Sequence, residues 1–508
     1  MSYSYSPQSM QEFDRQMPVE QLMRMAGSAV AEGMERLRMQ RGDAKCAVLL
    51  VGKGNNGGDA LVAAKLLQET GWAIQLVLAS PPKDFAPLPH QMWEELPEDL
   101  RKHARIGLQD GDLQAPALRH AMILDGLLGT GFNGQAPREH FASLIRAANA
   151  SHLPTLSIDL PSGLNGETGE AELCILATAT ICLAAIKTGL LHGQGINAAG
   201  RLLLAPLPGE ALLATLPHGP EVFGEDDARK LLPRFAFDSH KFQRGMVTVL
   251  GGSSHYGGAP FLAGAGALQA GAGLVQVLIP EHCEVFCSVP QALIVQRLPD
   301  QGNGVHNAHA LPELQNALRR SNAAAIGPGM TTNPDILPVI AELLNLNKPM
   351  VLDADALNLL ATCPTLLSQS HSAKFVLTPH AGEFSRLAQA YGLSPTNDRA
   401  QDAVALAKAT GSVVVLKGAR TVVADSNGRY SYNLSGCPAL ATAGSGDVLT
   451  GIITALLARG YQQRDACVVG MYLHGLAGDI AAKHVGMESL IASDLIQYLP
   501  EAFKRLND

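Results

Sequence analysis

The stretch TAGSGDVLTGIITALL, residues 442–457, joins a Gly-Ser-Gly turn to an acidic residue and an apolar run. A glycine-rich turn that enters a helix leaves backbone N–H groups free at the positive end of the helix dipole, which suits a bound phosphate. We predict that Asp447 occupies the first helical position, where its carboxylate can take a proton from a hydroxyl that attacks phosphorus. The alternative is that Asp447 only stabilises the helix N-terminus.

A second group of candidates lies at the ends of other apolar strands in this half. VVVL runs into Lys417 and Gly418, a suitable place for a cation beside nucleotide phosphates. The chain contains no G-x-x-x-x-G-K-[ST], so a P-loop enzyme is excluded. Asp353 and Asp355 follow another strand and are candidates for indirect or magnesium-linked contacts. His380, in a Pro-His-Ala-Gly loop, is either a ligand contact or an ordinary loop histidine.

The first half has its own glycine-rich stretch, GKGNNGGDALVAAKLL, residues 52–67, directly after the apolar run CAVLLV. Its spacing satisfies G-x-G-x-x-G, with a helix expected to open at Asp59. A dinucleotide site of the Rossmann type also needs an acidic residue about 20 positions further on, at the end of the second strand. Here that strand, AIQLVLAS, ends in Ser80. The usual NAD-binding interpretation is therefore weakened.

Polar residues also follow two later strands of the first half. LDGLLGTGFNGQ puts Asp125 at a strand end before a glycine-rich loop at 129–135, and SIDLPSGLNGETG adds Asp159 and Ser162. Because ligands bind at the carboxyl edge of open parallel sheets, we expect these residues to share one site. Asp159 is either an acid/base group or a cap of the turn that follows it.

The elements that must position these residues predict an α/β protein with two domains. The chain has 508 residues, 47% of them apolar and 17% charged, and strands alternate with helices in both halves. This pattern predicts parallel sheets with helices on both faces. We expect the first domain at 1–213 and the second at 222–508, joined by the proline-rich stretch 206–220.

Two further segments carry clear structural signals. Residues 19–37 have Met and Leu at helical spacing, which predicts a helix that packs in the core. Residues 245–280 contain no Asp, Glu, Lys or Arg, but glycines interrupt the stretch, whereas a membrane span needs about 20 continuous apolar residues. We predict a strand, a glycine-rich loop, a buried helix and a second strand instead.

Charge and cysteine usage limit the partners. The net charge of −8 and the lack of a Lys/Arg-rich run argue against nucleic acid or an anionic membrane, so a small ligand is favoured. The eight cysteines are scattered, without zinc spacing, and we expect mostly buried free thiols. The N-terminus lacks the basic and apolar regions of a secretion signal. The expected location is the cytoplasm.

Taken together, the motifs carry a family resemblance. GSGD with an upstream KG and GPGM resembles the ribokinase-like superfamily of hydroxyl kinases. Within it, TPHAGEF, LDADALN, KGART and AGSGDVLTG resemble the nucleotide-dependent NAD(P)H-hydrate dehydratases. The first half, with NNGGD on a Rossmann-like sheet, resembles the NAD(P)H-hydrate epimerases that are often fused ahead of them. The resemblance covers about residues 18–503.

The resemblance implies a two-step repair of hydrated NADH and NADPH, called NADHX and NADPHX. The second half would use ADP, with Mg²⁺, to phosphorylate the hydroxyl of the hydrate, after which phosphate leaves and NAD(P)H is restored with AMP as the other product. The first half would interconvert the R and S epimers, so that a second half specific for S can use both. The resemblance also suggests a homo-oligomer.

Site residues follow from the same resemblance, with Asp447 and Asp159 as the catalytic groups. In the second half it implies hydrate contacts at Ala259, Gly329, His380 and Asp447, and nucleotide contacts at Lys417, Gly418, Ala419, Arg420, Thr421 and Gly446. In the first half it implies hydrate contacts at Asn55, Asn56, Gly57, Gly58, Asp59, Gly129, Thr130, Gly131, Phe132, Asn133, Gly134, Gln135 and Asp159. It assigns a potassium ion (K⁺) to Asn56, Asp125 and Ser162.

Two points qualify the resemblance. LMRMAG carries Arg24 and Met25 where an acidic residue is common in the family, which puts a peripheral contact in doubt. The alternative function is a ribokinase-like vitamin-precursor kinase that keeps its phosphorylated product, with a non-catalytic binding module as its first half. Both alternatives share the GSGD chemistry, so the motif alone does not separate them.

Overall fold

A computed structural model gives the fold as two compact units, Tyr3–Pro220 and Glu221–Asp508. It describes residues 2–109, 111–232, 236–368, 375–396 and 398–507. Each unit is built on a sheet whose strands are mainly parallel, with helices between them, so the predicted α/β fold class is confirmed.

The first unit contains nine strands and eight helices among its described residues. The strands are β1 Ser2–Tyr5, β2 Cys46–Val51, β3 Ala73–Leu78, β4 Arg105–Ile106, β5 Met122–Gly126, β6 Thr155–Ile158, β7 Ala179–Leu183, β8 Ile186–Lys187 and β9 Arg201–Ala205. The helices are α1 Pro7–Gln16, α2 Val19–Arg41, α3 Asn55–Glu69, α4 Pro87–Glu94, α5 Glu98–Lys102, α6 Glu139–Ser151, α7 Gly195–Ala198 and α8 Glu210–Leu213.

The main sheet of the first unit has the order β4-β3-β2-β5-β6-β7-β9, and all its strands are parallel. The four predicted strands are present as β2, β3, β5 and β6, whereas β4, β7 and β9 were missed. Along β2, Leu49 and Val51 pack into one core cluster while Val48 and Leu50 pack into another. Successive side chains point to opposite faces, so both faces of this sheet are covered.

The predicted helix at 19–37 is α2, and most of its apolar stripe is buried as expected. Val30 and Met34 lie in the core beside the sheet. Leu22 and Met23 near the start of the helix also line a cavity. The stripe therefore does more than pack the core.

The second unit contains ten strands and eleven helices among its described residues. The strands are β10 Glu221–Phe223, β11 Met246–Leu250, β12 Leu274–Pro280, β13 Ile294–Leu298, β14 Ala323–Ile326, β15 Met350–Leu352, β16 Phe375–Leu377, β17 Val413–Leu416, β18 Val422–Ala424 and β19 Tyr430–Asn433. The helices are α9 Glu225–Leu231, α10 Ala259–Gln269, α11 Leu311–Arg319, α12 Leu337–Leu344, α13 Asp355–Thr362, α14 Thr365–Ser368, α15 Ala381–Ala390, α16 Arg399–Thr410, α17 Ser445–Ala458, α18 Gln463–Val485 and α19 Ala492–Asn507.

In the second unit the strands run in the order β13-β12-β11-β14-β15-β16-β17-β18-β19-β10. The strands pair in parallel except at β18, which is antiparallel to both neighbours. The prediction for residues 245–280 is confirmed, since β11, a loop, the buried helix α10 and β12 follow in that order.

Helices α10 and α17 pack closely because glycines face the contact. A Cβ on Gly451 would lie 1.9 Å from the carbonyl oxygen of Ala263, and a Cβ on Gly444 would lie 2.5 Å from Leu262 Cδ1. Residues later in α17 contact residues later in α10, so the two helices run in the same direction. Their N-terminal ends therefore lie side by side.

Each sheet has a point at which the strand order reverses. In the first unit β2 lies between β3 and β5, and in the second β11 lies between β12 and β14. Loops that follow the two strands at such a point diverge to opposite faces and leave a crevice where ligands bind in open α/β sheets. In the first unit the two glycine-rich motifs follow β2 and β5. In the second unit the loops that carry Ala259 and Gly329 follow β11 and β14, while Lys417 follows β17 and the GSGD motif lies at the start of α17.

Within the described ranges, no helix combines the length and the apolarity that a bilayer crossing requires. All eight cysteines lie within these ranges and none forms a disulfide. Four of the cysteines are buried, and Cys287 is exposed.

Candidate active sites of the two units

The glycine-rich loop after β2 enters its helix earlier than predicted. Helix α3 begins at Asn55, so the expectation that it opens at Asp59 is wrong. Gly54 is extended and acts as the N-cap, and the Gly58 amide donates to the Gly54 carbonyl at 3.1 Å. The N–H groups before Gly58 therefore belong to a first helical turn, where they lack intrahelical acceptors and can hold an anion.

Close packing explains two glycines of the G-x-G-x-x-G spacing. A Cβ on Gly52 would lie 1.9 Å from the carbonyl oxygen of Leu127, and a Cβ on Gly57 would lie 1.9 Å from that of Gly52. Any larger residue would push apart β2, α3 and the loop after β5. The pattern is thus required by the crevice itself, without a ribose-binding acid.

A cavity of about 690 Å³ opens at this crevice. The predicted hydrate contacts that line it are Asn55, Asn56, Asp59, Gly129, Thr130, Gly131, Phe132, Asn133, Gln135 and Asp159. Gly57, Gly58 and Gly134 do not line it. Their backbones shape the two loops, but the cavity surface comes from their neighbours.

The residues predicted to hold K⁺ converge beside the cavity. The Asp125 carboxylate, fully buried, accepts from the Ser162 amide at 2.9 Å and from the Ser157 hydroxyl at 2.8 Å, and it also accepts from the Ser162 hydroxyl. Asn56 Nδ2 donates to the Leu128 carbonyl at 3.0 Å, and Ser162 Oγ lies 3.2 Å from the same carbonyl oxygen. Burial raises the pKa of Asp125 although these hydrogen bonds oppose the rise.

This donor set fits a hard monovalent cation. It offers a carboxylate, a hydroxyl, an amide oxygen and a carbonyl oxygen, and no sulfur or imidazole. A cation beside the buried Asp125 carboxylate would offset the cost of keeping it ionised.

Asp159 lies on the other side of the same cavity, next to a lysine that the sequence analysis missed. Its backbone is left-handed, with φ of +65°, and its carboxylate accepts from the Leu183 amide at 3.0 Å. Lys187, only 1% exposed, forms an ion pair with Asp159 and donates to the carbonyls of Leu183 and Ala185 at 2.8 and 3.0 Å. The signal for Lys187 was a single lysine at the end of the apolar run CLAAI.

Two more carboxylates face the cavity. Asp59 on α3 is 7% exposed, and Asp14 on α1 lines the same space. Burial raises the pKa of Asp14 to about 6, with a further rise from the charge of Asp159. Burial also raises the pKa of Asp59 well above its ordinary value. Asp14 was missed because nothing in its spacing connects helix α1 with the glycine-rich loops.

In the second unit Asp447 is the third residue of α17, so its predicted place at the first helical position is wrong. Gly444, with φ of +83°, is the N-cap, and Ser445 already belongs to the helix. Burial raises the pKa of Asp447 to about 8, and the charge of Asp353 adds to this while Lys417 opposes it. The carboxylate is thus partly buried and lies within electrostatic reach of Lys417.

Lys417 connects the sheet edge with the start of α17. Its Nζ donates to Asp353 Oδ1 at 2.8 Å and lies 3.8 Å from Glu383. Burial lowers the pKa of Lys417, but these two carboxylates outweigh burial and hold the pKa above its ordinary value. A Cβ on Gly446 would lie 3.3 Å from Lys417 Nζ. Lys417 and the GSGD turn therefore face each other directly.

Asp353 has both carboxylate oxygens engaged by the protein. Oδ1 pairs with Lys417, and Oδ2 accepts from the Thr450 hydroxyl at 2.7 Å. Burial raises the pKa of Asp353, but Lys417 and the threonine hydroxyls reverse this and lower it. Asp355 accepts instead from the Thr331 amide at 2.9 Å. Asp353 already pairs with the Lys417 ammonium and Asp355 accepts from a backbone amide, so the contacts of both favour an indirect role.

An arginine that the sequence analysis missed fixes the shape of the KGART loop. Arg399 on α16 donates to the carbonyls of Ala419 at 2.6 Å and Lys417 at 3.2 Å. A Cβ on Gly418, where φ is +148°, would lie 2.6 Å from Arg399 Nη2. The Thr421 hydroxyl donates to the Gly418 carbonyl at 2.7 Å. Arg420, with φ of +51°, completes a tight turn after β17.

The remaining predicted hydrate contacts divide into two places. Ala259 begins α10, and a Cβ on Gly329, where φ is +69°, would lie 3.3 Å from the Ala259 Cβ and 2.5 Å from the Tyr256 carbonyl oxygen. These loops after β11 and β14 thus meet at the crevice of the second sheet. Only a residue without a side chain fits there.

His380 has a clear structural role. It is the N-cap of α15, where its Nδ1 accepts from the amides of Gly382 at 3.0 Å and Glu383 at 3.3 Å, and the Glu383 carboxylate accepts from the His380 amide at 2.8 Å. Burial and the nearby charge of Lys417 lower the pKa of His380, so its Nδ1 stays available as an acceptor. The side chain is 55% exposed. A ligand contact would use the remaining edge of the ring.

The two residues of LMRMAG that differ from the family pattern, Arg24 and Met25, do not line the cavity. Arg24 pairs with Glu20 at 2.9 Å and with Glu95 at 2.7 Å on the surface of α2. Met25 is partly exposed. The affected contact is peripheral, as expected.

Comparison with known proteins agrees with this division of the chain. Residues 247–501 match the family described as NAD(P)H-hydrate dehydratase, and residues 19–189 match the family described as YjeF-related protein N-terminus. The chain is 36% identical to a bifunctional NAD(P)H-hydrate repair enzyme of Moorella thermoacetica, over 96% of this chain and 93% of that protein. It is 33% identical to the one of Escherichia coli, over 94% and 88%.

Among solved structures, the second unit is similar to an ADP/ATP-dependent NAD(P)H-hydrate dehydratase from Bacillus subtilis that was co-crystallised with ATP and Mg²⁺. The identity is 26% and the TM-score 0.43, over 56% of this chain and 99% of that one.

Proposed function

The chain belongs to the family of bifunctional NAD(P)H-hydrate repair enzymes, and from that premise we propose how its two units divide the work. The first unit interconverts the R and S epimers of NADHX and NADPHX. The second unit dehydrates the S epimer to NADH or NADPH, with ADP as the phosphoryl donor. Fusion of the two activities in one chain allows both epimers to be repaired.

In the second unit the oxygen of the C6 hydroxyl attacks the terminal phosphorus of ADP. Asp447 accepts the hydroxyl proton, and AMP leaves. The C6–O bond of the phosphate ester then breaks, phosphate departs with the bonding pair, and loss of a proton from C5 restores the C5–C6 double bond. The observation that carries this proposal is the position of the partly buried Asp447 carboxylate in the first turn of α17, near Lys417.

The nucleotide is expected to lie between the KGART loop and the GSGD turn. Lys417 supplies a cation toward the phosphates, and the space left by Gly446 lets them approach the first turn of α17. The turn at Gly418 to Thr421, fixed by Arg399, would contact the rest of the nucleotide. Mg²⁺ supplies neutralising charge to the phosphates when bound. We assign it no direct carboxylate ligand, because the Lys417 ammonium already pairs with Asp353 and the other Asp353 oxygen accepts from Thr450.

In the first unit the amides of the first turn of α3 are proposed to hold the phosphates of the hydrate. Asn56, Asp125 and Ser162 would hold K⁺, which supplies a fixed positive charge near those phosphates. Asp159, held by Lys187, would face the C6 centre. Epimerisation requires the hydroxyl to leave and return, and a charged group at that centre can stabilise the cation that forms in between.

We also propose that the protein works in the cytoplasm and forms a homo-oligomer. The absence of disulfides among its eight cysteines supports a reducing compartment. The proposal of an oligomer rests on the family resemblance.

The test uses the full chain with ADP, Mg²⁺ and purified S-NADHX. We expect absorbance to return at the reduced nicotinamide band, with one phosphate and one AMP for each NADH. A stable phosphorylated product without NADH would instead indicate a vitamin-type kinase.

The epimerase assignment is tested with R-NADHX and a dehydratase that accepts only S. Asp159→Ala should slow conversion of R-NADHX and leave dehydration of S-NADHX unchanged. A wild-type rate in the variant would remove Asp159 from the mechanism.

A further inference from the structure

The charged side chains that line the cavity of the first unit differ in how deeply they are buried. Its charged lining residues are Asp14, Lys53, Asp59, Arg138, Asp159 and Lys187. Lys53 and Arg138 are exposed, so they lie at the opening. Asp59 and Lys187 are buried, and Asp14 and Asp159 are partly buried, so the interior has three carboxylates and one ammonium.

Lys187, the lysine in the interior of the cavity, does not form ion pairs with all three carboxylates. Lys187 is committed to Asp159 and to the carbonyls of Leu183 and Ala185. For the Asp59 carboxylate, 93% buried and facing the cavity, the described part of the chain provides no hydrogen bond or ion pair, and the same holds for the Asp14 carboxylate. A buried carboxylate without a partner is costly when ionised, so it either keeps its proton or meets a ligand.

The polarity of the cavity fixes which end of the hydrate meets these acids. The proposed function places phosphates at the amides of the first turn of α3, and Lys53 and Arg138 at the opening add positive charge suited to them. The nicotinamide ring then extends inward, toward Asp14, Asp59 and Asp159. The following inference rests on that assignment.

We propose that Asp14 and Asp59 form the proton-donating pair of the epimerase reaction. A proton moves from the pair to the C6 hydroxyl as the C6–O bond breaks, and the oxygen leaves with the bonding electrons as water. The ring nitrogen shares its lone pair with C6 to give a cyclic iminium. Water then adds to the opposite face and returns one proton to the pair. No oxidant, reductant or metal is required, and solvent water is the only co-reactant.

The surroundings keep the pair protonated when substrate arrives. Desolvation and the negative charge of Asp159 both raise the pKa of Asp14 and of Asp59, and Lys187 opposes this only in part. Interacting acids titrate as a unit, so the two residues together retain a proton more readily than either alone. Asp159, held in place by its ion pair with Lys187, can stabilise the cation at C6.

Helix α1 thus contributes more than packing. The matched family region of the first unit begins at residue 19, whereas Asp14 lies upstream of it on α1. Pairing of β1 with β8, Tyr5 opposite Lys187, holds the start of α1 beside the buried lysine.

Asp14→Asn and Asp59→Asn in the full chain test the proposal, with Glu12→Gln, a partly exposed acid on the same helix, as the matched control. Each aspartate variant should slow conversion of R-NADHX to S-NADHX by about a hundredfold or more, the usual loss for an acid/base group. Dehydration of S-NADHX should be unchanged in all three variants, and Glu12→Gln should epimerise at the wild-type rate. A wild-type rate in Asp14→Asn overturns the role of Asp14.

A second measurement covers variants that do not fold. The wild-type epimerisation rate should fall as the pH rises, because the donor must be protonated. A rate that is flat or rises with pH overturns the proposal. If the wild type gives no acceleration over the uncatalysed interconversion, the proposed epimerase function itself fails, which is a different result from a defect confined to the aspartate variants.

Discussion

The two units put their chemistry at the same place in the fold but surround it with opposite arrangements of charge. In the second unit a partly buried lysine, Lys417, pairs with Asp353 and leaves Asp447 as a partly buried carboxylate in the GSGD turn. In the first unit the buried lysine, Lys187, pairs with Asp159 itself. One unit thus leaves its reactive carboxylate without a cation partner, and the other unit holds it in an ion pair.

This difference follows from what each reaction requires. Phosphoryl transfer needs a group that takes up a proton, and a carboxylate with a raised pKa is a stronger base once it is ionised. Epimerisation needs a fixed charge beside a developing cation, and the ion pair with Lys187 holds the Asp159 carboxylate in place. The carboxyl edge of a parallel sheet suits both reactions, because helix N-termini and strand ends meet there. Side chains from distant parts of the sequence then set the protonation state of the carboxylates at this edge.

The largest expected effect separates the two units completely. Asp447→Asn should lower dehydration of S-NADHX by about a hundredfold or more, since an amide cannot take the hydroxyl proton. The epimerisation rate should not change. Measurement of both rates in one preparation tests this, with Glu501→Gln, exposed on α19, as the control. Retained turnover would show that Asp447 is only a helix-stabilising acid.

The pH dependence should have opposite signs in the two units. For dehydration, kcat/KM should rise about tenfold for each pH unit below the pKa of Asp447, which is about 8, because only the ionised carboxylate acts as a base. Epimerisation should fall over the same range if an acid pair donates the proton. Separate pH profiles with S-NADHX and R-NADHX test the comparison. Profiles of the same sign would mean that both reactions depend on one kind of group.

A smaller effect is expected at the proposed K⁺ site of the first unit. Asp125→Asn should raise the K⁺ concentration that gives half-maximal epimerisation by about tenfold, because the proposed site loses its only charged ligand. Titration of K⁺ against a bulky organic cation as background measures this, and Asp99→Asn, exposed on α5, is the control. If the wild type shows no response to K⁺, the cluster is a hydrogen-bonded support and not an ion site.

The smallest effect concerns His380. His380→Ala removes the acceptor for the Gly382 and Glu383 amides and should lower the free energy of unfolding of the second unit by about 1 kcal/mol. His380→Asn keeps a capping side chain and should restore most of that stability. A KM for S-NADHX that rises in both variants would support the hydrate contact. An unchanged KM in His380→Asn would mean that His380 acts only as the N-cap of α15.

The sequence determined the features that depend on neighbouring residues. Alternation and apolar runs located β2, β3, β5 and β6, and the strand, loop, helix and strand of residues 245–280. Glycine-rich turns before helices located both candidate anion sites, because turn and helix-start preferences are local. The helix starts were placed wrongly at Asp59 and Asp447, since a glycine N-cap gives no side-chain signal.

Only the tertiary structure decided which charges meet. Lys187 and Asp159 form an ion pair although 28 positions separate them in the sequence, and Thr450 donates to Asp353 over a separation of 97. Asp14 lines the cavity from a helix that precedes every motif of the first unit. Contacts of this kind depend on strand order and on helix packing, not on spacing along the chain. The types of chemistry could therefore be predicted from local patterns, whereas the protonation states that make them work are set by burial and by partners that the fold brings together.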